Sequence, residues 1–189
     1  LIKNKHRGND LTVGNSVRLA QSVRASADFV LYDRRGPSAQ RPASSDSILD
    51  LDEMLTTASE LIKTRFNRYH AQVYLLNPTN DVLQLAAGAG QAGKAMKARK
   101  HSIPVARENS LVARAARTRE GVIENDVSSA PDFLPNPLLS GTQSEIAIPL
   151  IVTETLIGVL DIQADEINAF SEADISFTMA LASQLAASI

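Results

Sequence analysis

The chain has no cysteine. That absence removes disulfides, thiolate metal sites, cysteine nucleophiles and thioether attachment of a cofactor. Histidine is scarce: His6, His70 and His101 lie far apart, and none has a helical partner three or four residues away. A local metal pair is therefore excluded, and no metal or cofactor is expected. No apolar run approaches the roughly 20 residues that span a bilayer. No basic stretch leads into an apolar core as a secretory signal would. There is no Ser-His-Asp order and no phosphate loop, so no enzyme is expected. The expected location is the cytoplasm.

What is present is an ordinary globular composition. The 189 residues support one domain plus an extension, and the apolar fraction of 44 % is normal for a soluble protein. Charge is uneven. Residues 1–48 carry eight basic and four acidic groups, net +4; the remaining eleven basic and seventeen acidic groups make residues 49–189 net −6. A +4 segment suits a nucleic-acid arm by charge. It contains Phe29 and Tyr32 as its aromatics and no binding motif, so nucleic acid is not an expected partner. Leu1 is no initiator methionine and Ile189 ends inside an apolar-periodic helix, so a longer parent chain is expected at both ends.

The composition shifts near Gly36. Residues 36–45 are rich in Pro, Ser and Ala and read as a linker. Before it, Asn15 or Ser16 can cap a helix carrying Val17, Ala20, Val23, Ala27 and Val30 on one face. Residues 1–47 are thus expected to be an extension or linker with one helix, and 48–189 a domain. In that domain a long amphipathic helix is predicted from Leu49 to Phe66, capped by Asp46 or Ser47. A hairpin follows, Ala71–Leu76 and Val82–Ala87 around Asn77-Pro78-Thr79-Asn80. Gly88, Gly90 and Gly93 are expected to loosen the chain before a short basic helix from Gln91 to Lys100. His101–Val105 reads as a brief strand, kept to an edge by Pro104. Ser110 caps a helix to Arg117, Val122–Val127 is a strand, and 128–142 is a proline-containing loop with room for one helical turn.

The densest pattern is Gln143–Phe170. Ile146, Ile148, Leu150 and Val152 alternate along one strand; Leu156, Leu160 and Ile162 lie on one face of the next, with Ile157 and Val159 on the other. Apolar residues on both faces predict a sheet covered on both sides. Gly158 leaves a gap that something can approach closely. Ser171, with Glu172 and Asp174 in the next turn, opens a final helix. Six strands with hairpin links predict an α+β fold with a largely antiparallel sheet and the two long helices together on one face.

These segments resemble a GAF domain, a small-molecule sensory module of bacterial signalling proteins. The resemblance is carried by Leu49–Leu55, Tyr69–Leu76, Ser144–Leu150, Ile157–Gln163 and Asn168–Asp174. It implies a six-stranded antiparallel sheet with the first and last helices on one face, and short helices and loops forming a pocket on the other. It further implies an unknown small-molecule partner, a homodimer through the terminal helices and an output domain, such as a histidine kinase of a two-component system. Phytochrome-like members and the reductases of free methionine sulfoxide use cysteines, which this chain lacks. Cyclic-nucleotide members carry Phe-x-x-x-Asp-Glu; here Phe170 and Asp174 fit and Ile175 departs, and Asp174 reads more simply as a helix-start carboxylate. The alternative function is a ligand-free dimerisation module.

Six residues are the candidate ligand contacts. Tyr74 can stack on a ligand or serve as core. Asn125 and Asp126 can present polar groups or form a strand-end turn. Phe133 is a lid or a staple for its loop. Ser144 and Glu145 open the central hairpin, and a buried Glu145 needs a partner in any case. His101 reads as an exposed or satisfied histidine, and Lys94, Lys97, Arg99 and Lys100 as a solvated basic face.

Overall fold

The computed structural model describes residues 46–189, with side chains from Asp50 onward. The helix expected within 15–30 lies outside the described residues. Helix α1 is Asp46–Arg65. Its stripe buries Leu55, Ala58 and Ile62. It ends where Asn67 takes φ 49°, and Arg68 N–H reaches back to the Lys63 carbonyl at 2.9 Å. Asn is the residue after Gly best able to adopt that left-handed cap.

Strands β1 (His70–Leu76) and β2 (Val82–Gly88) form the first hairpin. Helix α2 (Gly90–Ala98) leads to β3 (Ser102–Pro104), and α3 (Leu111–Thr118) leads to β4 (Val122–Glu124). A 3-10 turn at Pro137–Leu139 interrupts the long loop. Strands β5 (Ser144–Val152) and β6 (Thr155–Ala164) form the second hairpin, and α4 is Glu172–Ser188. The sheet order is β3-β2-β1-β6-β5-β4, with every neighbouring pair antiparallel. β3 is an edge strand, as Pro104 requires.

Strand alternation sorts the side chains onto two faces. Ala71, Ile162 and Ile146 stand in one cross-strand row. Their face takes the terminal helices: Ile162 lies against Phe66 and Phe177, whose rings are 4.7 Å apart. Tyr74, Val159 and Ala147 face the other way and form one core with Met96 of α2, Leu111 and Ala115 of α3, and Leu139 of the 3-10 turn. The α+β architecture expected from the sequence is the one observed.

Two glycine readings change. Gly93 sits inside α2, where an added Cβ would collide with the Gly88 carbonyl. The Gly88/Gly93 pair therefore seats α2 tightly on β2 rather than loosening the chain. Gly158 does admit a close approach, but the intruder is the backbone carbonyl of Tyr74 on the adjacent strand. The gap serves sheet packing.

Candidate functional site: a cleft and a buried carboxyl pair

On the loop-side face, the pleat places Gln72, Asp161 and Ala147 in one row and His70, Gln163 and Glu145 in the next. Polar side chains thus occupy the centre of a covered sheet. Gln72, Glu145, Asp161 and His70 are all at most 4 % exposed, so each needs a partner. Gln72 Nε2 donates to Asp161 Oδ2 at 2.6 Å, and Gln163 Nε2 donates to the same oxygen at 2.9 Å. Thr142 Oγ1 donates to Gln163 Oε1 at 2.6 Å. With its amide nitrogen spent on Asp161, Gln72 offers Oε1 to His70 Nε2 at 3.3 Å, so that ring nitrogen carries the hydrogen.

Asp161 Oδ1 has no partner among these groups. Glu145 is buried on the same face, diagonal to Asp161 across the β5–β6 register, and two buried neighbouring carboxyls resist ionising together. Asp161 Oδ2 accepts two amides, which favours the charged form of Asp161 over that of Glu145. Burial, and then the Asp161 charge, hold the Glu145 carboxyl well above the usual carboxylate range. Burial raises Asp161 to about 6, against the opposing hydrogen bonds from Gln72 and Gln163. Burial lowers His70 to about 4. The Tyr74 hydroxyl is pushed well above 10 by burial, and further by the charges of Asp161 and Glu145.

A cleft of about 320 Å³ opens between α2, β3 and the proline-containing loop. One wall is apolar: Met96, Leu134, Pro135, Pro137 and Leu138. The other carries Arg99, His101 and Arg107, with Asn136 between. The cap of α2 sets this arrangement. Lys100 takes φ 52°, its N–H bonds the Lys97 carbonyl at 2.9 Å, and His101 N–H bonds the Met96 carbonyl at 3.0 Å. This two-bond C-terminal cap turns the chain so that the residues flanking Lys100 face the cleft. His101 stands against Tyr74, ring centroids 6.1 Å apart. The imidazole pKa is lowered by burial and by the neighbouring Arg107 charge.

The six sequence candidates do not share one surface. Tyr74 and Glu145 reach the same interior, where each is at most 4 % exposed. Asn125 pins the entry to α4, donating to the Phe170 carbonyl at 2.9 Å and accepting from Phe170 N–H at 3.1 Å. Asp126 accepts from the Ser128 N–H and hydroxyl within its own turn. Phe133 packs against the loop-side core. Ser144 donates to the Glu166 carbonyl at 2.7 Å. Lys97 pairs with Asp52. Sequence reasoning passed over Asp161, Gln72 and Gln163. The signal was there: Asp161 lies on the strand face read as apolar from Ile157 and Val159.

Comparison with known proteins agrees with this geometry. The GAF domain family model matches residues 48–189. No curated protein matches the chain. The GAF domain of an Acinetobacter phosphoenolpyruvate-protein phosphotransferase is similar at 20 % identity and TM-score 0.68, over 96 % of this chain and 93 % of that one. The type II free methionine-R-sulfoxide reductase of Thermoplasma acidophilum is similar at 25 % identity and TM-score 0.63, over 76 % and 94 %. Residues 122 to 287 of a methyl-accepting chemotaxis protein are similar at 19 % identity and TM-score 0.63, over 74 % and 88 %. The helix pair on one face of an antiparallel sheet, the looped roof on the other and the family match over three-quarters of the sequence lead to one conclusion: this chain belongs to the GAF domain family, whose members are sensory and regulatory modules of signalling proteins.

Proposed function

We propose that residues 48–189 form a non-enzymatic, small-molecule-sensing regulatory domain of a larger cytoplasmic signalling protein, such as a sensor histidine kinase, with residues 1–47 as a linking extension. The observation that carries this reading is the cleft of about 320 Å³, which falls within the range of small-molecule sites. Tyr74 lies behind it against His101, and Glu145 is buried farther along the same sheet face. Phe133 packs in the core beneath the roof, while Asn125, Asp126 and Ser144 hold loops at the β4–β5 end of the sheet. Among the described residues no helix is long and apolar enough to cross a membrane.

The signal would leave through the terminal helices of a homodimer. Hydrogen bonds run from Thr142, at the end of the roof loop, through Gln163, Asp161 and Gln72 to His70. Beside that end, Glu60 of α1 accepts the Gly90 N–H of α2 at 2.7 Å. Met179 is half exposed on α4 and suits a helix–helix contact. A ligand acts on such a system through unequal affinity for two helix arrangements.

The Thermoplasma neighbour is a reductase, and GAF-type reductases of free methionine sulfoxide use cysteines. This chain has none, which favours binding without turnover. Thermal-shift screening of the chain against a metabolite library, followed by calorimetry, tests sensing. A saturable stabilising ligand is the expected result. No stabilising compound, together with a concentration-dependent dimer, would favour the dimerisation module. Thiol-dependent reduction of free methionine sulfoxide by the purified chain would overturn the non-enzymatic reading.

A further inference from the structure

Resting on the sensing role proposed above, we infer that the cleft at the end of α2 takes a small organic anion: a phosphate or carboxylate group held by Arg99 and Arg107, with an apolar body laid against Met96, Leu134 and Leu138. Among the described residues no acidic one lines the cleft. Neither Arg99 nor Arg107 forms an ion pair among the described residues. Other arginines nearby are committed. Arg114 pairs with Asp132 at 2.6 Å, Arg117 donates to the carbonyls of Val105 and Arg107, and Arg119 donates to the Glu154 carbonyl. The Arg107 Nε–H is engaged locally, to Asn109 Oδ1 at 3.1 Å, which leaves the terminal nitrogens of its fork for an oxyanion.

The negative end of α2 does not counter this. The carbonyls of Ala95, Met96 and Lys97 accept the N–H groups of Arg99, His101 and Lys100. Plain solvation would account for two exposed arginines. It does not account for a wall of Met96, Leu134 and Leu138 beside them. An amphiphilic anion satisfies both walls at once. The roof is also held in place: Asn136 Oδ1 accepts from Leu138 N–H at 3.0 Å, its amide contacts the Met96 sulfur, and Pro135 and Pro137 restrict the flanking backbone. A preformed wall costs little ordering on binding.

The test uses the whole chain and four probes of one shape: phenyl phosphate, benzoate, benzyl alcohol and benzylamine. Binding is followed by NMR through the Met96 methyl and the His101 ring. Both anions should shift these signals saturably, at least about tenfold more tightly than benzyl alcohol, with benzylamine weakest. A chain carrying Arg99→Gln and Arg107→Gln should keep its melting temperature and lose the preference, since neither guanidinium makes a long-range bond among the described residues. The two anions separate phosphate from carboxylate recognition. Equal binding of the alcohol or the amine at these signals would overturn the anion assignment while leaving sensing intact. No shift with any probe at millimolar concentration would overturn it too, and a library hit elsewhere would then still uphold sensing. An anion preference that survives in the double variant would remove the two arginines from the site.

Discussion

Glu145 and Asp161 are buried carboxyls on adjacent strands, diagonal to each other across the β5–β6 register near the centre of the sheet. Both titrate above their ordinary range, so the folded chain holds protons that the unfolded chain releases. Stability from the pair is complete below about pH 4, where both states are protonated, and is lost as pH rises through the folded values. Asp161 contributes up to about pH 6; Glu145 extends the loss above that. Glutamine in place of Glu145 keeps nearly the same size and does not titrate. Glu145→Gln should therefore be more stable than the parent at pH 8, by about 1–3 kcal/mol, and the gain should vanish near pH 5. Urea unfolding at the two pH values measures it. A difference independent of pH would mean that Glu145 is ionised in the fold.

His70 works in the opposite sense. Its folded pKa of about 4 lies below the ordinary 6.5, so the unfolded chain takes up a proton first as pH falls. Stability is full above about pH 6.5 and is lost toward pH 4. Lys63 pushes the ring the same way as burial; Glu60 and the Gln72 hydrogen bond push back. Over pH 4–6 the slopes from His70 and Asp161 oppose each other, at about 3 kcal/mol each. His70→Gln retains a donor to Gln72 and removes one slope. Relative to the parent it should gain about 2–3 kcal/mol between pH 7.5 and pH 4.5. Parallel denaturation midpoints at the two pH values would contradict a neutral, buried His70.

Period-two apolar alternation, the Asn-Pro-Thr-Asn turn and the Ser171 box made the two hairpins and the last helix legible in the sequence. The Ser171 box is present as expected, and Asp174 also binds Arg68 at 2.9 Å, which fits its reading as a helix-start carboxylate. The site was less legible because its members meet through tertiary structure. Arg99 and Arg107 are brought to one cleft by a left-handed Lys100, a residue type that does not announce that conformation. Asp161 and Glu145 are 16 positions apart and become neighbours through the β5–β6 register. Asn125 and Asp126 looked ligand-facing because turn formers and binding groups are the same residue types.

Gly93 is the point where α2 touches β2. A methyl group there would overlap the Gly88 carbonyl, and both atoms belong to backbone held in regular structure. Gly93→Ala should cost more than 2 kcal/mol, despite the better helix propensity of alanine, because a helix must move off its strand. The melting temperature measures this. Gly90→Ala offers a control: its φ of 65° makes the change strained, while an added Cβ would meet the Lys63 side chain rather than backbone. A milder loss at Gly90 than at Gly93 is expected. The reverse order would place the tight contact elsewhere.

The β5–β6 turn is made by Thr153 at φ 43° and Glu154 at φ 67°. Two consecutive left-handed residues match the hairpin twist, yet a β-branched Thr there is costly. Asn-Gly relieves that strain without changing the path of the chain. The side chains of both residues are exposed, and the Arg119 contact is to the Glu154 backbone carbonyl, which glycine keeps. Thr153→Asn with Glu154→Gly should raise stability by about 1–2 kcal/mol. It should leave probe binding at the α2 cleft unchanged, because neither residue lines it. A destabilised double variant would show that the turn has a different geometry, and with it a different β5–β6 register beneath Glu145 and Asp161.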